Sequence, residues 1–225
     1  MYVNDLRAVS TAACKLLTAL ATAWLLASEA RAARPFVTDD ARIVDQGHCQ
    51  LETFYKKQHA YSGSEFWFLP ACNPSFVPLE NGLEITVGGN RIEDERNLIV
   101  QGKKLLKPLQ PNGAGFAVSV GTFGSEPYVN GIGSFSFLDD RAVIHSNLGY
   151  LENRPTWGLG LEALLWAPRV YAILETFGER GEKPTQHVGI RFWVIPNRFQ
   201  IDTTYGQQAS DPVRRFHSFG LRFIY

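Results

Sequence analysis

Nowhere in the 225 residues is there an apolar run of the roughly twenty residues that a membrane-spanning helix needs. The longest, Leu16 to Ala27, stops at twelve. An excess of charge of one sign is lacking as well. With 22 Lys and Arg against 22 Asp and Glu, the chain has no basic surplus to draw it to nucleic acid, and no nucleic-acid partner is expected. Cysteine is scarce, at three, and His48, His59, His145, His187 and His217 are scattered without ligand spacing, so neither a metal centre nor another cofactor is expected. A helical period is missing throughout, and no low-complexity linker divides the chain.

What is present begins with an export signal. Arg7 and Lys15 precede the twelve-residue apolar run, and Ala30-Arg31-Ala32 offers the small residues that signal peptidase accepts. Residues 1–32 therefore read as a cleaved signal peptide. Cys14 lies ahead of the apolar run, which argues against a lipoprotein anchor. At the other end FHSFGLRFIY puts Phe219, Leu221, Phe223 and Tyr225 on one face of an extended strand, and Ser218, Gly220 and Arg222 on the other. That ending suits the closing strand of an outer-membrane barrel, with one face on lipid and one on a polar lumen. It also resembles the strand that the outer-membrane assembly machinery recognises, so that machinery and membrane lipid are the expected partners.

Between the ends the pattern is alternation with period two. In GFAVSVGTF, Phe116, Val118 and Val120 face one way and Ala117, Ser119 and Gly121 the other; VGIRFWVI sets Val188, Ile190, Phe192 and Val194 against Gly189, Arg191 and Trp193. The implied fold is all-β, a transmembrane antiparallel up-and-down barrel of about twelve strands: 47–57, 64–73, 82–92, 96–106, 113–122, 127–138, 141–151, 155–166, 169–178, 185–195, 198–206 and 214–225. Counts of ten and fourteen stay open, because 59–64 and 74–82 are irregular. An even count puts both termini in the periplasm, behind an N-terminal periplasmic segment at 33–46 and ahead of a barrel at 47–225. The polar stretches EDER, FGSEP, GERGEKP and GQQASDPV would form longer loops on the outer face.

Turns fix register. Pro196-Asn197 as a turn opposes Val194 to Phe199, Phe192 to Ile201, Ile190 to Thr203 and Arg191 to Asp202; Asp139-Asp140 opposes Phe135 to Ile144 and Ser134 to His145; Ala167-Pro168 opposes Leu161 to Leu174 and places Glu162 and Glu175 inside. Centring the first hairpin near Ala60 and Tyr61 opposes Cys49 to Cys72, Tyr55 to Phe66 and Lys56 to Glu65. A disulfide between Cys49 and Cys72 follows for an exported protein.

The inward rows then carry Glu52, His145, Asn147, Glu162, Glu175, Arg191, Asp202 and Arg222 as lumen-lining candidates, with Arg222 meeting Asp202 and Glu52 at the seam. Mixed signs suit an internal ion-pair belt; a solute-lining role is the other reading. Twelve strands close at a backbone radius of roughly 12 Å, so side chains decide whether a channel remains. Residues 33–46 either fold into the lumen and obstruct it or form a flexible leader. Catalysis is not expected: His145 and Ser146 are adjacent on a strand and point to opposite faces, and His217, the other outward histidine, lies on a non-neighbouring strand.

The segments RPFVTDDARIVDQGHCQLE, EFWFLPACNP, LEITVGG, LKPLQPNG, VIHSNLGY and LETFGE, spread over nearly all of the mature chain, resemble a group of proteobacterial outer-membrane proteins classed as transporters with the meta-pathway phenol-degradation family. That resemblance implies an outer-membrane β-barrel and the uptake of a small, aromatic or hydrophobic solute. A closed structural barrel is the alternative, and an outer-membrane lipid hydrolase the more distant one.

Overall fold

The structure, a computed structural model, describes residues 37–59, 63–77, 79–80, 82–209 and 211–225. The signal peptide expected at 1–32, the start of the N-terminal segment at 33–36 and the first-hairpin centre at Ala60 and Tyr61 lie outside the described residues. Twelve strands follow one another: β1 (Cys49–Gln58), β2 (Ser64–Cys72), β3 (Leu83–Ile92), β4 (Glu95–Lys107), β5 (Ala114–Phe123), β6 (Glu126–Phe137), β7 (Ala142–Leu151), β8 (Arg154–Trp166), β9 (Val170–Glu179), β10 (Thr185–Ile195), β11 (Phe199–Gln208) and β12 (Asp211–Ile224). Each pairs with its sequence neighbours, and β12 pairs with β1 to close the barrel. All pairings are antiparallel, and the described residues contain no helix. Closure matters because every strand-edge N–H and C=O then has a partner without help from water.

The interior is polar and the exterior apolar, the inverse of a soluble domain. Glu84, Lys103, His145, Glu162, Arg191, Gln200 and Asp202 are buried, while Val87, Val120, Leu148, Leu159, Leu174, Ile190 and Phe192 are exposed. Period-two alternation in each strand produces both faces at once. Tyr55, Phe66, Tyr150 and Trp157 lie outward near one rim and Trp166, Phe223 and Tyr225 near the other, as the aromatic girdles of a membrane barrel do.

The hairpin registers follow the turns. Phe192 opposes Ile201 and Arg191 opposes Asp202; Phe135 opposes Ile144 and Ser134 opposes His145; Leu161 opposes Leu174. In the first hairpin Cys49 opposes Cys72, Tyr55 opposes Phe66 and Lys56 opposes Glu65, with Lys56 Nζ 2.6 Å from Glu65 Oε1. Cys49 and Cys72 are joined in a disulfide. One pairing differs from expectation: Phe199 lies opposite Ile195 rather than Val194, because a bulge between Trp193 and Ile195 inserts an extra residue near the rim. The expected longer loops also differ. EDER contracts to Glu93 and Asp94, FGSEP to Gly124 and Ser125, and GQQASDPV to residues 209–210, because the strands run on into them. Positive φ at Glu93 (55°) and Gly124 (60°) supplies the tight reversal such hairpins need. The longer connections are 73–82 and 108–113, at the end that carries the two termini, and 59–63 and 180–184 at the other.

Ile190 sits near the middle of β10 with half of its surface exposed on the outer wall. Ile190→Arg should cost about 2–4 kcal/mol of folding stability in a bilayer, read from urea unfolding in lipid vesicles, whereas Ile190→Leu should cost little.

Candidate functional site

The barrel interior falls into three levels, set by which inward residues each strand offers at each height. At mid-height on β8, β10 and β11, Arg191 is fully buried and held between two carboxylates. It donates to Glu162, and its Nη2 lies 3.1 Å from Asp202 Oδ2. Gln200 Nε2 donates to the same carboxylate at 3.0 and 2.8 Å. Across the seam Arg222 reaches Glu52, Nε to Oε1 at 3.5 Å, and donates to Gln50. Asp202 stands opposite Gly220, and Arg222 opposite Gln200. Mixed signs allow these charges to be buried at all, since an isolated ion in a low-dielectric interior costs several kcal/mol.

The second level is the N-terminal segment itself, which lies inside the lumen. Thr38, Asp40, Ala41 and Val44 are buried among the wall side chains. The segment has no strand partner for its backbone, and five of its N–H groups are taken by side chains from four strands. Val37 and Thr38 N–H donate to Glu175 on β9. Asp39 N–H donates to Asn147 Oδ1 on β7 at 2.6 Å, and Asn147 Nδ2 donates back to the Asp39 carbonyl at 2.9 Å. Ala41 N–H donates to Ser134 Oγ on β6 at 2.8 Å, and Val44 N–H to Glu84 Oε2 on β3 at 3.0 Å. The segment's two neighbouring carboxylates converge on Lys103 of β4, Nζ lying 2.7 Å from Asp39 Oδ1 and 3.4 Å from Asp40 Oδ1. Burial alone would raise the Asp40 carboxyl; Lys103 outweighs it, with Arg42, His145 and Arg222 adding, and the carboxyl is held below the ordinary carboxylate range. At its base the segment is tied to the rim by Asn73, whose Nδ2 donates to the Val44 carbonyl at 2.9 Å and whose carbonyl accepts from Gly47. Gly47, with φ of +80°, makes the turn into β1 beside the Cys49–Cys72 disulfide.

Above the segment, at the end away from the termini, lies a vestibule of about 590 Å³. Val37, Thr38 and Asp39 form its floor; Trp67, Phe123, Tyr128 and Phe177 stand in its wall with Gln101, Asn130 and Arg154. The aromatics are organised: Trp67 stacks on Phe54 at 5.1 Å between centroids and meets Phe123 at 5.6 Å. Below the floor only about 40 Å³ remains between the segment and the β1–β4 wall, room for a few waters and no organic solute.

All eight lumen-lining candidates face inward and are buried. Glu162, Arg191 and Asp202 come together, Glu52 joins Arg222, and Asn147 and Glu175 hold the N-terminal segment. His145 shares a 2.8 Å hydrogen bond with Ser134 and lies 4.0 Å from Glu162. Both residues are buried, and Ser134 Oγ accepts from Ala41 N–H. Ser146 is exposed on the outer wall. Sequence reasoning placed Trp193 inward but missed the vestibule aromatics and the part that Lys103, Ser134 and Glu84 play in binding the segment. The aromatics had a signal: Phe54, Trp67 and Phe177 each stand two residues from an inward carboxylate, Glu52, Glu65 and Glu175.

The family model described as "Uncharacterised conserved protein UCP029691" matches residues 20–223. No curated protein sequence matches the chain. Among solved structures, the KdgM porin in complex with disordered oligogalacturonate aligns with a TM-score of 0.56 at 9% identity, over 78% of this chain and 98% of that one. The NanC porin aligns at 0.58 and 9%, over 78% and 98%. Omp33 of Acinetobacter baumannii aligns at 0.56 and 8%, over 79% and 98%. These likenesses show the fold, a twelve-strand barrel of the outer-membrane porin type, and with the apolar outer wall they place the protein in the outer membrane. None of these matches carries the phenol-degradation association.

Removing Arg191 alone strands two buried carboxylates. Arg191→Met should destabilise the barrel by about 3–5 kcal/mol, and the triple variant with Glu162→Gln and Asp202→Asn should recover most of that loss in denaturant titrations.

Proposed function

We propose, from the premise that the chain belongs to the family of uncharacterised conserved protein UCP029691, that it is a gated outer-membrane channel for small solutes. The observation that carries this reading is the division of the lumen: a vestibule of about 590 Å³ opens at one end and is floored by Val37–Asp39. Beneath the floor about 40 Å³ remains. A barrel that served only as a structural wall would gain nothing from an open chamber of ligand size lined by organised aromatic rings. The end bearing the termini faces the periplasm, so that the vestibule opens outward and the segment 37–44 blocks passage from the inside. Trp67, Phe123, Tyr128 and Phe177 favour a small aromatic or hydrophobic solute, with Gln101, Asn130 and Arg154 to orient polar groups. The mixed-sign belt at Arg191 is structural, neutralising charge behind the segment rather than selecting solutes.

In planar bilayers the chain beginning at Ala33 should conduct poorly, and deletion of residues 33–44 should raise single-channel conductance several-fold. Liposome swelling with phenolic, sugar and fatty-acid solutes would rank the solutes. Equal high conductance in both chains would remove the gate, and no flux through either would leave a structural barrel.

A further inference from the structure

Much of the lumen's grip on residues 37–44 is addressed to the peptide backbone rather than to one sequence. Glu175, Asn147, Ser134 and Glu84 accept main-chain N–H groups, while Asn147 and Asn73 donate to main-chain carbonyls. Asn147 pairs both the N–H and the C=O of Asp39, the two-point contact a neighbouring strand would make. These groups come from separate strands, with Asn73 just beyond β2, and meet residues 37–44 in turn along a path that bends at Val37, Thr38 and Ala41. The wall also makes room for that chain. A Cβ on Gly158 would stand 2.6 Å from Thr38 Oγ1, so the absence of a side chain there lets the segment lie close against β8. The main contact to side-chain charge is Lys103, which receives two adjacent carboxylates.

From this arrangement we infer that the lumen is a binding site for a non-helical peptide carrying two neighbouring acidic residues, occupied in cis by residues 37–44 and able to take such a peptide in trans. All such peptides carry the main-chain groups the wall reads; the acidic pair sets position through Lys103. When the segment leaves, Glu175, Asn147, Ser134 and Glu84 lose the main-chain partners it supplied, and another peptide offers the same groups to them. The site stands below the aromatic vestibule and does not require that the barrel conduct.

The test uses two proteins, so that a folding failure in one does not end it. One is the barrel lacking residues 33–46. The other is the chain from Ala33 with a protease site inserted between Gln46 and Gly47, both exposed, cut only after folding. A labelled synthetic peptide of residues 37–46 is followed by fluorescence anisotropy, in detergent and apart from any conductance measurement. Saturable binding to the truncated barrel is expected, weakened at least tenfold when Asp39 and Asp40 of the peptide become asparagine and unchanged when Asp45 does. Lys103→Gln in the barrel should weaken it as much, with no further loss when the two changes are combined. N-methylation at Ala41, which removes the proton given to Ser134, should weaken binding several-fold. In the cut chain the released segment should co-elute with the barrel and be chased out by excess peptide, faster with Lys103→Gln. A scrambled peptide with separated aspartates binding equally well would overturn the inference. So would immediate loss of the cut segment together with no peptide binding. Peptide binding without conductance would sink the channel reading alone, and conductance without peptide binding would sink this one alone.

Discussion

Burying charge and backbone inside a barrel that sits in lipid is the constraint on which the rest of this structure depends. The alternation that gives the strands an apolar outer face commits the opposite face to polar side chains, and twelve strands bring those side chains within reach of one another. On β8, β10 and β11 the wall solves the problem by itself, through Glu162, Arg191, Asp202 and Gln200. Toward β3, β4, β6, β7 and β9 it does so with a segment of its own chain. Lys103, Asn147, Ser134, Glu84 and Glu175 find their partners on residues 37–44, and that segment, with no sheet to join, finds its partners on them.

Fold and occlusion are therefore one arrangement seen from two sides. The disulfide and Asn73 fix where the segment turns from lumen to rim, and the wall side chains fix how far it reaches. Val37, Thr38 and Asp39 lie at the floor of the chamber above. His187 extends the linkage outward from the segment: it bonds Glu175 through Nδ1 at 2.9 Å and Thr204 through Nε2 at 2.5 Å, and Thr204 meets Ser218. The grip on Val37 and Thr38 is thereby connected to β10, β11 and β12, elements that do not touch the segment through these bonds themselves.

Strand order and much of the register were legible because period two and turn position together determine which residues face one another, as for Arg191 with Asp202; strand number stayed open at the irregular 59–64 and 74–82, and the Cys49–Cys72 pairing came from the one offset that also matched Tyr55 with Phe66 and Lys56 with Glu65. Val194 was misplaced because a bulge costs one residue and leaves no mark in hydropathy. The inward row of charges was legible for the same reason as the strands. The pairs Arg191–Asp202 and Arg222–Glu52 were legible with it; the reach of Arg191 to Glu162, two strands away, was not, since period two sets which way a side chain faces and not how far it reaches. The placing of residues 37–44 was open in the sequence, because a non-periodic polar segment satisfied by side chains from distant strands shows no local pattern. Lumen aromatics escaped notice because aromatic residues in an alternating strand suit the lipid face equally well, and parity with Glu52, Glu65 and Glu175 is what sets Phe54, Trp67 and Phe177 apart.

The central claim is that residues 37–44 occupy the lumen of the folded protein. A Cβ on Gly158 would lie 3.3 Å from Thr38 Cβ, close to the separation that a disulfide spans. Thr38→Cys with Gly158→Cys, exported and recovered from the outer membrane, should yield a non-reduced peptide joining positions 38 and 158, detected by mass spectrometry alongside the native Cys49–Cys72 link. Recovery of correctly folded barrel with that native link intact and positions 38 and 158 uncrosslinked would contradict the account.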